Sequence, residues 1–183
     1  IDEVTFYGEA SARISDMLVA SAGGRITASW LGGAGTNIPV ASLSAETLRL
    51  LAISTSSRRE TAFLPAISLI ATPIEKTSLY LRYQEGFRPG GLAVSGDFVR
   101  QFRSDHARTF ELGGGWGQPG RGDFDVSASL SYTRWRDIQA DFIDEGGLPS
   151  TANIGNGRIW AASISGSVRI IEGLRAEGGA TLN

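Results

Sequence analysis

The sequence predicts an all-β chain, an antiparallel up-and-down meander of about eight long strands forming a segment of a transmembrane β-barrel. Three observations predict it. Polarity alternates with period two over most of the chain; the alternating stretches are long; and the connections between them are short and long in turn.

The alternation begins at once. Between residues 4 and 14 the even positions are Val4, Phe6, Gly8, Ala10, Ala12 and Ile14, and the odd ones are Thr5, Tyr7, Glu9, Ser11 and Arg13. A strand separates these sets onto two faces, whereas a helix would mix them. After a short turn at Ser15-Asp16 the pattern resumes, with Leu18, Ala20, Ala22, Gly24, Ile26, Ala28 and Trp30 against Val19, Ser21, Arg25, Thr27 and Ser29. Six more strands are predicted. Residues 61–72 place Phe63, Pro65, Ile67 and Leu69 on one face, and residues 78–87 oppose Leu79, Leu81 and Tyr83 to Arg82 and Gln84. Residues 108–116 set Phe110, Leu112 and Trp116 against Thr109 and Glu111. The sixth strand runs from 123 towards 142, the seventh from about 158 to 170, and the last around Leu174 to Leu182.

Short connections fall at 15–16, 73–76, 118–122 and 171–173, and long ones at 31–60, 88–107 and 143–152. In a meander alternate turns share an end, so the short turns line one rim and the long loops the other, an asymmetry typical of outer-membrane barrels. Strand length agrees: crossing a bilayer takes about 9–11 tilted residues, against about 5–6 for ordinary strands. The polar face carries Glu9, Arg13, Arg25, Arg82, Glu111, Asp125, Arg169, Arg175 and Glu177, charges that suit a wet lumen and not a dry core. A soluble sheet with one solvated face also alternates, but explains neither the strand length nor the one-sided loops.

Composition narrows the function. Net charge is −2 in 183 residues, so nucleic acid is not an expected partner. Cysteine is absent, which excludes disulfides, thiolate metal sites and thiol catalysis. The 24 glycines suit a curved sheet. No apolar run reaches the roughly 20 residues of a membrane helix, and no signal peptide opens the chain. The chain starts at Ile1 and stops at Asn183 within patterned stretches, and so reads as an excerpt of a longer barrel.

Several motifs carry a family resemblance. Tyr83-Gln84-Glu85-Gly86-Phe87-Arg88-Pro89-Gly90-Gly91 resembles the strand-to-loop signature of TonB-dependent outer-membrane receptors. The run from Tyr132 to Gln139 resembles that family's aromatic-aromatic-D-I-Q strand, and residues 151–157 resemble its N-x-G turn. The strand that follows reads Ala161-Ala162-Ser163, replacing the usual Gly and Glu. The opening Asp2 to Glu9 and Phe63-Leu64-Pro65 also match the family's barrel strands.

The resemblance implies a partial receptor barrel over 1–183, with no plug domain, no TonB box and no C-terminal strand of its own. It implies uptake of a scarce nutrient such as a ferric siderophore, powered through TonB, at the outer membrane of a Gram-negative bacterium. Implied partners are outer-membrane lipid and lipopolysaccharide, the receptor's own plug, TonB and a small-molecule ligand; no cofactor is expected. Ligand contact falls on the long-loop rim, where Arg88, Arg100, Arg103, His106 and Asp144 are the candidates. The rival classes are a small outer-membrane barrel with a structural or adhesive role, and a barrel enzyme. The chain is read as a non-enzyme, because no Ser/His/Asp or paired-carboxylate set falls on one rim.

Other signals are weak. Gly115 to Gly120 spells G-x-G-x-x-G, but Pro119 and a following strand leave no helix N-terminus for a phosphate. Arg121-Gly122-Asp123 lies on the short-turn rim, and His106 with its neighbours Ser104 and Asp105 cannot form a triad on extended chain. Residues 43–53 are read as a short amphipathic helix. Arg134 and Arg136 fall on the apolar parity, which predicts a bulge or emergence into the headgroup zone. Trp30, Trp116, Trp135, Trp160 and Tyr132 are read as interface aromatics.

Overall fold

A computed structural model describes residues 2–31, 58–95, 98–143, 147 and 149–183, with backbone alone for 94, 95 and 98–100. The first hairpin joins β1 (Asp2–Ser15) to β2 (Leu18–Leu31). Then come β3 (Arg58–Ala71), β4 (Thr77–Arg88) and a small hairpin of β5 (Gly91–Ser95) and β6 (Phe98–Phe102). The chain returns as β7 (Asp105–Gly117), β8 (Phe124–Ile143), β9 (Pro149–Ile171) and β10 (Leu174–Leu182). Eight of these form one sheet in the order β1-β2-β3-β4-β7-β8-β9-β10, with every pairing antiparallel, while β5 and β6 pair with each other. The expected meander of eight strands is therefore the observed one. Among the described residues no helix is long and apolar enough to cross a membrane.

Register fixes the faces. One hydrogen-bonded row reads Ala12-Ala20-Leu69-Leu81-Leu112-Leu130-Ala162-Leu182 across the sheet. The next row towards the long loops reads Ala10-Ala22-Ile67-Tyr83-Phe110-Tyr132-Trp160. Its rings pack in neighbouring pairs, Tyr83 with Phe110 at 4.7 Å and Tyr132 with Trp160 at 4.6 Å between centroids. Trp116 and Phe124 form a similar pair at the short-turn end. Along β8 the two aromatic rows are marked by Phe124 and Tyr132. At about 3.3 Å per residue and a tilt of about 40°, they stand about 20 Å apart along a barrel axis, near the height of an outer-membrane apolar band.

Among the described residues no second layer covers this face. Phe6 is 73% exposed, Leu112 58% and Leu81 51%. The opposite face is polar and satisfies itself. Ser11 and Ser21, Thr109 and Thr133, Ser127 and Ser165, and Ser129 and Ser163 each share a cross-strand hydrogen bond of 2.8 Å. The hydroxyl of Tyr80 donates to Glu111 at 2.5 Å, and Arg175 lies 3.8 Å from Asp125.

Four details differ from the sequence reading. The first turn is Asp16-Met17 rather than Ser15-Asp16. The loop after Arg88 contains the β5–β6 hairpin, whose five-residue strands are too short to give a periodic signal. Strand β9 begins at Pro149, so residues 151–157, read as a turn, are strand. They are recruited because β8 runs on to Ile143 and pairs them, with Gln139 opposite Asn153 and Phe142 opposite Ser150. Finally, Trp135 pairs with Gly157 and Ala107, whose parity is that of the polar face, so it is not part of the outward aromatic set. The expected bulge beside Arg134 and Arg136 is present: register breaks between Trp135 and Ile138, and Asp137 adopts φ 51°. The 43–53 helix lies outside the described residues.

Candidate functional site at the long-loop rim

At the long-loop end the inward face carries a latch of side chains rather than a plain ladder. Arg88 closes β4 on the polar parity, directly opposite Asp105, the first residue of β7. Its Nη2 and Nε donate to Asp105 Oδ2 at 2.6 and 3.0 Å, and Nη2 also reaches the backbone oxygen of Gln139 at 2.9 Å. Asp105 is buried, while the Arg88 side chain remains half exposed.

Gln139 is the hub. It lies just past the β8 bulge, and its Nε2 donates to the carbonyls of Pro89 and Arg103, both at 3.0 Å, with a longer contact to that of Arg88 at 3.4 Å. Asn153, its cross-strand partner, accepts from the Arg103 amide at 2.7 Å and donates to the Arg103 carbonyl at 2.9 Å and the Asp137 carbonyl at 2.6 Å. The positive φ of Asp137 is stabilised by its amide, which donates to Asn156 Oδ1 at 3.0 Å.

A second clamp comes from β3. Glu60 accepts from the Gly90 amide at 2.8 Å and pairs with Arg58, whose Nη1 donates to the Phe102 carbonyl at 3.0 Å. Both ends of the β5–β6 hairpin are thus tied to β3 on one side and to β8 and β9 on the other. A side chain at Gly90 would collide with the Phe102 carbonyl, so the tie requires glycine there. Every clamping side chain of β3, β4 and β7 has the polar parity, which folds the hairpin towards the inner side of the sheet.

The expected site residues divide. Arg88 and Arg103 meet in this latch through Gln139, and the Arg103 side chain, 79% exposed and 3.5 Å from Asp137, has most of its guanidinium available. His106 has the parity of Phe110, so it faces outward, where its ring packs against Phe87 at 5.2 Å. The Arg100 side chain and Asp144 lie outside the described residues. Sequence reasoning did not single out Asp105, Gln139, Asn153 or Glu60. Gln139 and Asn153 stand inside the quoted motifs and Asp105 beside His106, but none was given a role in the site, because their partners lie about 17 to 51 residues away, beyond any local pattern. Among the described residues no three His, Asp or Glu side chains are grouped to hold a metal ion.

A single-layer antiparallel meander with one apolar and one polar face, spanning strands, short turns at one rim and a latched loop at the other, defines a wall of a membrane β-barrel. A family model described as TonB dependent receptor-like, beta-barrel matches residues 1–181, and the chain belongs to that family. Solved structures agree in fold. The ferric yersiniabactin uptake receptor FyuA from Yersinia pestis superposes with a TM-score of 0.69 at 14% identity, covering 98% of this chain and 26% of the receptor. The FrpB iron transporter from Neisseria meningitidis gives 0.69 at 16% identity, covering 98% and 25%. The copper transporter OprC gives 0.70 at 13%, covering 97% and 27%. The chain therefore spans about a quarter of the length of these relatives. No curated protein sequence matches it.

Proposed function

We propose that this chain is part of the barrel wall of an outer-membrane receptor that imports a scarce nutrient, such as a ferric siderophore, with energy delivered through TonB. The observation that carries this reading is the continuous outward apolar band of an unlayered sheet. Such a surface, with Ile67, Leu81, Phe110, Leu112, Leu130 and Trp160 exposed on adjacent strands, is a contiguous apolar patch of the kind a water-soluble monomer avoids, and hydrocarbon is the solvent that suits it. A plug domain and TonB would act with it as partners outside this segment.

In this reading the polar face lines the lumen and the latched hairpin overhangs it. The mechanism needs a rim that holds its shape while ligand arrives and then releases inward as the plug moves. The Gln139 and Glu60 clamps supply the rigidity. Arg103 and Arg88 are offered as the contact set, together with Arg100 and Asp144 from the sequence reading, the exposed Arg103 guanidinium suiting an anionic chelate; His106, which faces outward, is left out of it.

Iron is the favoured cargo because related folds include receptors named for ferric ligands. The test is growth of a strain lacking the parent gene under iron, cobalamin or carbohydrate limitation. A defect under iron limitation, restored by the wild-type gene, is the expected result. A defect confined to cobalamin or carbohydrate limitation would transfer the cargo to that class, and none in any of the three would sink the importer reading.

A further inference from the structure

The wall is not zipped along its whole height. Strand β3 keeps its ladder with β2 up to Arg58 opposite Leu31, and β4 keeps its ladder with β7 up to Arg88 opposite Asp105. Between β3 and β4 the pairing stops at Ala66 opposite Gln84. Among the described residues no ladder pair joins 58–65 of β3 to 85–88 of β4.

Proline explains where this seam begins. The Thr72 amide donates to the Met17 carbonyl at 2.8 Å, so even-numbered residues of β3 turn their backbone groups to β2 and odd-numbered ones to β4. The bond from the Gly117 amide to the Lys76 carbonyl likewise turns even residues of β4 to β7 and odd ones to β3. Pro65 is odd, and it has no N–H to give to the carbonyl of Glu85, its partner in the continued register. The seam thus opens just beyond Ile67 and Tyr83, a pair in the aromatic row. Free backbone groups find partners in water and none in hydrocarbon, so a wall can part there and not in the band.

Side chains close the gap instead. From β3, Glu60 accepts from the Gly90 amide and Arg58 donates to the Phe102 carbonyl. On its other flank the β5–β6 hairpin is held through Arg88 to Asp105 of β7, and by Gln139 of β8 and Asn153 of β9. The hairpin therefore belongs to the leaf of β4 and β7–β9, and Glu60 and Arg58 strap it to the leaf of β1–β3. Leu64 and Ala62, on the inner face along the seam, are buried, so this is the shut state.

We propose that the long-loop half of the wall is a two-leaf gate, hinged at Ala66 and Gln84 and strapped shut by Glu60 and Arg58. Each leaf keeps an unbroken ladder, so the two can part without unfolding, as hinged bodies do. Shut, the rim holds the shape that the proposed contact set needs; open, it carries the latched hairpin clear of the mouth. The inference rests on the barrel-wall reading above, and is independent of the imported ligand.

Two measurements on the full-length receptor test it. The first is hydrogen exchange resolved to single amides, which needs no variant. Phe63 and Phe87, whose amides face the seam, should exchange about tenfold or more faster than Leu64 and Gly86, whose amides face β2 and β7. Equal protection would show a paired seam and overturn the gate. The second places spin labels on cysteine pairs. Phe63→Cys with His106→Cys spans the seam, and Ile67→Cys with Phe110→Cys spans the same strands in the band. The band pair is expected to give one narrow distance and the seam pair a broad distribution. Glu60→Ala should lengthen the seam distance. Pro65→Val, which restores the missing donor, should bring it within about 1 Å of the band distance, because paired strands keep a fixed spacing. A seam pair as narrow as the band pair, or unmoved by both substitutions, overturns the gate. Breadth at both pairs sinks the barrel-wall reading beneath it.

Discussion

The band and the rim of this sheet are held by different chemistry. In the band, between the two aromatic rows, side chains alternate without interruption and the backbone ladder satisfies every strand in perfect register from β2 through β8. In the rim, the ladder breaks at Asp137, and side chains bond to distant backbone instead, Gln139 to Pro89 and Arg103, Asn153 to Arg103 and Asp137. The band is specified by polarity alone, so many sequences would serve. The rim is specified by particular amides and carboxylates, and single substitutions should loosen it selectively.

The largest effect tests the band. Leu81→Arg sits mid-strand on the outward face, 51% exposed to what the barrel reading makes lipid, and is expected to cost about 2–4 kcal/mol. Ser127→Arg on the inner face loses one hydrogen bond to Ser165 and should cost far less. A refolding titration of the full-length barrel measures both, and equal penalties would erase the distinction between the faces.

A middle effect tests the rim. Gln139→Ala removes the donor to the Pro89 carbonyl and one of the two donors to the Arg103 carbonyl, which keeps Asn153, and a part-buried acceptor left without its partner costs about 1–2 kcal/mol. The expected signature is local: amide hydrogen exchange accelerates across residues 91–102 while the β7 and β8 band keeps its protection. Exchange rising uniformly would mean that rim and band form one cooperative unit.

The smallest effect comes from the far end. Gly173 turns β9 into β10 with φ +80°, and a Cβ there meets nothing within 4 Å, so Gly173→Ala adds only backbone strain, about 1 kcal/mol. Its refolding midpoint should fall slightly with hairpin exchange unchanged. A loosened 91–102 segment would show that the two rims communicate through the band.

This division also explains what the sequence could tell. The meander, its order and both faces were legible because period two is a local property, visible at Phe6 against Tyr7 or Leu112 against Glu111. Trp135 was read as an interface aromatic from its residue type, although its parity, unbroken along β8 as far as that residue, is that of Thr133 and puts it on the inner face. The β5–β6 hairpin was missed because its stability lies in Glu60, Gln139 and Asn153, none of which belongs to it. Motif resemblance found Arg88 and the stretch around Gln139, but could not reveal that the two touch.

The paired hydroxyls of the inner face have a last consequence. Each serine or threonine in the pairs Ser127–Ser165, Ser129–Ser163 and Thr109–Thr133 has its neighbour for a partner, so this stretch of the inner face has little unmet demand for hydrogen bonds. In the proposed barrel, water would wet these hydroxyls readily while a passing solute would find only weak purchase on them.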